Sequence, residues 1–285
     1  HFLSFATAAI ALAVPAAGQQ VQRTPFDVTG YQIDAQLQPT ENKLIATADV
    51  TFVPLEDTRS VSFELNGSLK IDSIARIGVA PPLPAGPAAK VKPATPAVPA
   101  GAGTITFVQD QVGVSDLGPS VRIDLGSDVA KGTPVKLRFK YSGVLNTASG
   151  GPLLNKRLAS VGDSEGYLMY AARWFPFHDY AADLATSDIS ITAPGGLQVV
   201  GFSDTPVTSA GGKYRFTQSK PGLVGNFAYG KFVNRSLKIE GYDIQFYTRP
   251  GTDNLVASYG ETLGKALGFY TKRFGQPEMG SKLIV

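Results

Sequence analysis

The sequence predicts an all-β protein: a large antiparallel β-sandwich with one helix near its C-terminal end. Three observations lead to this prediction. Apolar and polar residues alternate in many short segments, turn-forming residues cluster between those segments, and a clear 3.6-residue period occurs in one place only. Many short strands at such spacing are typical of two sheets packed face to face. With 285 residues, 43% of them hydrophobic, the chain can bury a substantial core.

The alternating segments follow one another along most of the chain. The alternation slips by one residue within Leu69–Ile74, and the Pro/Ala-rich tract 78–103 interrupts the series. Because the same pattern resumes afterwards, we predict that this tract is a surface loop within one sandwich. The predicted strands are Tyr31–Leu37, Leu44–Val53, Val61–Leu65, Leu69–Ile74, Thr104–Val108, Val121–Leu125, Val135–Tyr141, Ile189–Ala193, Leu197–Val200, Tyr214–Thr217, Phe227–Phe232 and Leu237–Tyr247.

The helical period begins after Pro250-Gly251. Thr252 or Asp253 is placed to cap this helix, and Gly275 and Pro277 are placed to end it. Lys282–Val285 then resembles the beginning of a new strand, which suggests a chain cut in mid-domain. The apolar residues that share one helical face are Leu255, Tyr259, Leu263, Ala266, Leu267, Tyr270 and Phe274.

The first eighteen residues have the composition of an export signal whose front end is missing. An apolar run, Phe2–Val14, precedes small residues and is too short for a comfortable membrane span. We therefore expect an exported protein, periplasmic or extracellular. The absence of cysteine excludes a disulfide framework and a cysteine nucleophile. A net charge of +3 with no concentrated basic stripe argues against a nucleic-acid partner.

Two motifs suggest catalysis but lack the context that it needs. Gly162–Gly166 fits the G-x-S-x-G pattern around Ser164, yet the segment that follows is strand-like instead of helical. No Asp lies between Ser164 and His178, the only downstream histidine, and no H-E-x-x-H occurs. We predict a polar turn at Ser164, a polar turn residue at His178, and no catalytic or metal-binding residue. A serine hydrolase built around Ser164 remains the weakest alternative.

The residues after this motif suit packing and turn formation. Trp174, Phe175 and Phe177 carry a large apolar surface, and Pro176 favours an extended turn. Asp179 is suited to bond backbone N–H groups of the loop that follows. We therefore expect a structural corner at this position.

The same stretch carries a resemblance to a known family. Ala171–Asp179, containing Arg173, and the following Ala185–Gly195 resemble the A-R-x-x-F-P-x-x-D run and the A-T-f-x-i-x-i-x-x-P-x-G strand of the M1 (gluzincin) aminopeptidases. Both belong to the N-terminal β-sandwich domain of that family. The similarity continues in Tyr31–Phe52 as the opening hairpin, in Lys220–Phe232 as the strand that closes the sandwich, and in Phe269–Val285 as the first helix and strand of the catalytic domain.

The resemblance implies that the catalytic residues belong to a longer parent protein and lie outside this chain. The family's zinc ligands, catalytic glutamate and G-x-M-E-N loop would follow Val285, so we expect no cofactor in this chain and zinc in the full-length parent. In the family, the sandwich supplies a Glu or Gln that faces the substrate amine. The matching position here is Tyr167, and Glu165 lies two residues earlier on the same strand face. These two residues are the candidate substrate-binding residues.

The resemblance also divides the chain into a signal remnant at 1–18, the sandwich domain at 19–250 and the start of a truncated thermolysin-like catalytic domain at 251–285. It implies a non-catalytic domain of an exported M1-like zinc aminopeptidase that shapes the substrate cleft. Its partners would be its own C-terminal catalytic domain and a peptide substrate. The alternative is a stand-alone secreted β-sandwich that binds peptide, glycan or protein.

Overall fold

The computed structural model describes residues 25–78, 105–110, 120–145, 149–150, 153–157, 159–169, 174–179, 183–277 and 280–285. The predicted signal remnant at 1–18, nearly all of the Pro/Ala tract and Arg173 lie outside these residues. The elements of the described chain are β1 (Phe26–Gln38), β2 (Lys43–Pro54), β3 (Thr58–Glu64), β4 (Leu69–Ile77), β5 (Thr106–Gln109), β6 (Ser120–Val129), β7 (Val135–Val144), β8 (Ser149–Gly150), β9 (Leu153–Arg157), β10 (Ala159–Val161), β11 (Gly166–Leu168), β12 (Ala185–Thr192), β13 (Gln198–Gly201), β14 (Thr208–Ala210), β15 (Lys213–Gly222), β16 (Phe227–Gly230), β17 (Val233–Ile239), β18 (Tyr242–Thr248), α1 (Val256–Phe274) and β19 (Lys282–Ile284).

The strands form a sandwich around one continuous core, as the sequence predicts. One layer is a seven-stranded sheet in the order β14-β15-β12-β1-β2-β7-β4. The opposite layer consists of the sheets β3-β6-β5 and β10-β11-β16-β13. Inward-facing residues of both layers belong to the same buried cluster. In β1, buried Tyr31, Ile33, Ala35 and Leu37 alternate with polar residues that face solvent.

The strand pairing confirms the predicted opening hairpin and the slip in β4, and it reveals parallel pairs that the sequence did not predict. β1 and β2 form the predicted antiparallel opening hairpin, and the slip in the alternation of β4 is a register shift between Ile71 and Ser73. Two pairings, β1 with β12 and β18 with β19, are parallel. The sandwich is therefore mainly, but not wholly, antiparallel.

Two predicted strands are divided in the structure. Leu237–Tyr247 is a hairpin of β17 and β18, because Glu240 and Gly241 both have positive φ, 51° and 84°, and form a tight turn. The segment Lys220–Phe232 was predicted as one closing strand, but it spans the end of β15 and all of β16. Gly225, with φ of 102°, lies in the bend between them.

The predicted helix is present, but its N-terminal cap is not. Gly275 ends α1 with φ of 85° and donates its N–H to the carbonyl of Thr271. At the other end, a short 3₁₀ turn at Asp253–Leu255 precedes the helix. Thr252 donates its hydroxyl to the Arg249 carbonyl and Asp253 pairs with Arg235, so neither side chain caps the helix.

The buried face of α1 also differs from the prediction. Gly260, Gly264 and Gly268 lie against β17 and the β17–β18 turn, whereas Tyr259 and Phe274 are 65% and 80% exposed. The helix, β18 and parallel β19 form a crossover unit with a small core of its own. Within the described residues, no helix is long and apolar enough to cross a membrane.

Candidate functional site

An apolar groove of about 510 Å³ lies between the four-stranded sheet of the sandwich and the sheet β17-β18-β19. One wall is a cross-strand row in which Tyr167 of β11 pairs with Ala228 of β16, which pairs with Val200 of β13. Tyr247 and Ile284 line the other side. The groove therefore lies at the junction between the sandwich and the crossover unit.

Strand alternation directs both candidate substrate-binding residues outward from the sandwich core. Gly166 and Leu168 are buried, while Glu165 is exposed and Tyr167 is half-buried in the groove. Gly166 is required here, since an added Cβ would lie 2.3 Å from Tyr229 Cε1 and 2.4 Å from the Ser160 carbonyl oxygen. The structure thus brings Glu165 and Tyr167 to one face. Whether they contact a substrate stays a prediction.

Tyr229 anchors the turn that carries Glu165. Its hydroxyl donates to the Gly162 carbonyl at 2.7 Å and accepts the Gly162 N–H at 2.8 Å. Burial raises the pKa of Tyr229 to about 12, and the nearby charges of Asp163 and Glu165 act in the same direction. The phenol therefore stays neutral, and it holds the β10–β11 turn in place.

Ser164 lies in this turn and has the wrong surroundings for a nucleophile elbow. It is exposed, and β11 begins two residues later where an elbow would need a helix. His178 instead bonds the Asp183 carboxylate. The segment around Ser164 is therefore a polar turn, as the sequence predicts.

An ion pair lies beside the groove, and neither of its partners is a lining residue. The Glu165 carboxylate accepts a hydrogen bond from the Arg249 guanidinium, and the two side chains remain 50% and 70% exposed. Arg249 follows β18, two residues beyond Tyr247 of the groove wall. Sequence analysis missed this contact because the partners are 84 positions apart and no local pattern relates them.

The aromatic corner lies behind the groove wall. Trp174 and Phe175 are fully buried, and the Trp174 indole donates its Nε1–H to the Gly225 carbonyl at 2.8 Å. Its ring meets Phe227 of β16 edge to face, with centroids 5.8 Å apart. Gly225 must lack a side chain, since a Cβ would lie 2.4 Å from Phe175 Cε1. The corner therefore supports, from inside the core, the strand whose other face lines the groove.

Pro176 and Phe177 continue this corner toward the other half of the sandwich. Pro176 is buried, and Phe177 exchanges two backbone hydrogen bonds with Glu64 at the end of β3. Arg173, the remaining residue of the predicted motif, lies outside the described residues.

The buried carboxylate of this region is Asp183. It accepts the N–H groups of Val28 and Asp179 at 3.3 and 3.0 Å and lies 3.1 Å from His178 Nδ1. His178 stacks on Phe26 with centroids 3.8 Å apart, so it is a packed residue and more than a turn residue. Asp179 itself is exposed, and the loop to which its backbone bonding is predicted, 180–182, lies outside the described residues. Sequence alone offered no signal for Asp183, a lone Asp in an Ala-rich segment.

The described residues do not fit a zinc site. Among them, no three His, Cys, Asp or Glu side chains gather closely enough to hold a metal ion.

Comparison with known proteins supports the fold. No protein-family model and no curated protein matches the sequence. An M1 zinc metallopeptidase from Deinococcus radiodurans matches with a TM-score of 0.62 and 16% identity, over 92% of this chain and 56% of that one. A variant from the same organism bound to a Tyr-Ser-Ala substrate matches with a TM-score of 0.61 and 15% identity, over 91% and 56%. A two-domain M1 variant bound to L-arginine matches with a TM-score of 0.61 and 16% identity, over 91% and 56%.

The chain thus spans about half the length of the solved structures that it matches. At this level of identity the likeness concerns the fold. This chain shares the fold of M1 zinc metallopeptidases over slightly more than half of their length, as the resemblance of its sequence motifs predicts.

Proposed function

We propose that this chain is the non-catalytic N-terminal part of an exported M1-like zinc aminopeptidase, and that its groove forms one wall of the substrate cleft. The observation that carries the proposal is the extent of the shared fold, 91% of this chain against 56% of a zinc metallopeptidase. The remaining part of such a protein would hold the catalytic centre and the zinc.

The groove has the chemistry that one end of a peptide needs. Its apolar walls, which include Tyr167 and Tyr247, suit an apolar side chain, and the exposed Glu165 carboxylate, two residues before Tyr167, suits an ammonium group. We therefore assign Glu165 and Tyr167 to binding and orientation of the peptide's first residue. The chain's own residues contribute no bond-breaking step.

Exposed apolar side chains on α1 suggest that a further protein layer packs against this helix. Leu255, Tyr259 and Tyr270 are exposed beside the glycine face that packs on β17. Parallel strands joined by a helix normally belong to a sheet that is covered on both faces. A catalytic domain that continues from this unit would cover these side chains.

The domain limits and the export route are part of the proposal. We divide the chain into 19–250 and 251–285, but α1 shares its core with β18, so a boundary just before β17 fits the packing better. Export rests on the composition of residues 1–18 alone.

The first test is to read the source gene past the codon for Val285 and to express the whole product. We expect the frame to continue through G-x-M-E-N and H-E-x-x-H with a later glutamate. The purified product should contain zinc and should release N-terminal residues from peptides, and a chelator should abolish this activity. A full product with neither zinc nor peptidase activity would refute the proposal and favour a stand-alone binding sandwich. Glu165→Gln should raise KM in the product, whereas Glu261→Gln, on the exposed side of α1, should not.

A further inference from the structure

A carboxylate beside the groove, that of Glu165, already has a partner. Glu165 immediately precedes β11, two residues before Tyr167, and Arg249 immediately follows β18, two residues after Tyr247. The Glu165–Arg249 ion pair therefore joins these two segments next to the two tyrosines of the groove. A molecule that occupies the groove and presents a cation to Glu165 therefore competes with the Arg249 guanidinium for this carboxylate.

Local packing fixes Glu165 more firmly than Arg249. The Glu165 Cβ lies beside Gly230, 3.4 Å from the position that a Cβ added to Gly230 would occupy. Tyr229 also holds this turn, through its hydrogen bond to the Gly162 carbonyl. Arg249 follows the last residue of β18 and is 70% exposed. The guanidinium can therefore leave the carboxylate without disturbing the sandwich, whereas the carboxylate keeps its place beside the groove.

We propose that Arg249 competes with the cationic end of an apolar amine for the Glu165 carboxylate beside the groove. The inference rests on the proposed role of the groove as a ligand-binding wall. It adds a residue that affects ligand affinity. The free energy that an amine gains by binding Glu165 is reduced by the free energy of the competing contact with the Arg249 guanidinium. Ligands without a cation enter the groove without this competition.

The test measures binding of L-phenylalanine amide, in its protonated form, to this chain by NMR. Shifts of the backbone amides of Tyr167, Ala228 and Tyr247 locate the probe in the groove. Arg249→Gln frees Glu165 and should raise the affinity about twofold to fivefold, the range that an exposed ion pair supports. Glu165→Gln should lower the affinity. The double variant should bind no better than Glu165→Gln alone, because both changes act through one contact.

Two controls isolate the ionic competition. Arg59→Gln breaks an exposed Arg–Asp pair between β3 and β6, outside the groove, and should leave binding unchanged. N-acetyl-L-phenylalanine amide has the same ring but no cation, and its affinity should not change in Arg249→Gln. An equal gain for both probes would mean that Arg249 acts by bulk, and it would overturn the proposal.

Two further results would also overturn it: Arg249→Gln that binds the amine no better than the unaltered chain, or no binding of the amine by any variant. The experiment requires only this chain and no catalytic centre. Its failure would therefore leave the peptidase proposal to the zinc and activity assays of the full product.

Discussion

Trp174→Phe tests whether the aromatic corner stabilises the sandwich. The substitution removes the 2.8 Å hydrogen bond from the indole to the Gly225 carbonyl, and loss of a buried partner costs about 1 to 3 kcal/mol. The smaller ring also leaves a void among Phe175 and Phe227, which costs about 1 kcal/mol more. We expect the free energy of unfolding to fall by about 2 to 4 kcal/mol.

The assay is urea unfolding followed by far-UV circular dichroism, because the variant lacks the chain's only tryptophan. Tyr259→Phe is the matched control: this ring is 65% exposed on α1, and its change should stay within about 0.5 kcal/mol. If Trp174→Phe were as stable as the control, the indole would not be a buried hydrogen-bonded support, and the argument for the corner would fail.

Three other changes test separate features. Gly264→Ala should lower the free energy of unfolding by about 1 to 3 kcal/mol despite its better helix propensity, since the new Cβ would lie 2.2 Å from Ile239 Cγ2; a gain in urea unfolding would contradict this packing. Burial raises the pKa of Asp49, but the Arg138 guanidinium and the Lys136 ammonium together outweigh it and hold this pKa below the ordinary 3.8. The pair therefore stabilises the native state above about pH 4 and loses this effect as pH falls through the native pKa, so the stability gap between the unaltered chain and Asp49→Asn should shrink in acid; a gap that widens would refute the sign. Finally, a fluorophosphonate probe should not label the chain, and labelling that disappears in Ser164→Ala would reinstate the nucleophile.

The sandwich could be predicted because alternation reports burial directly. In β1 each apolar position faces the core, and in β4 even the one-residue slip between Ile71 and Ser73 appears in the sequence. The β17–β18 hairpin could not be found this way. Glu240-Gly241 lies inside an otherwise strand-like run, and its positive φ values depend on a turn that alternation does not encode.

The site was predictable only in part, and the reason is distance along the chain. Two-residue spacing placed Glu165 and Tyr167 on one face, which is a local property of a strand. The contacts that define their surroundings come from elsewhere: Tyr229 reaches the turn from 67 positions away, and Arg249 from 84. Such partners are set by the way in which two sheets meet, and no local sequence pattern identifies them.

Sequence periodicity also failed to identify all the residues through which α1 packs. The residues left exposed bear on the proposed function. Apolar periodicity correctly identified α1, but it predicted burial of Tyr259, Tyr270 and Phe274. Glycines contribute much of the contact because they let the helix approach Leu237 and Ile239 of β17 closely, and Val256, Leu263 and Leu267 pack beside them. The described sheets therefore cover the predicted apolar stripe only in part: Leu263 and Leu267 pack on the core of this unit, whereas Tyr259, Tyr270 and Phe274 remain exposed. Such a stripe beside a parallel crossover is what a helix between two layers of a larger domain requires, and the proposed catalytic domain would supply the second layer.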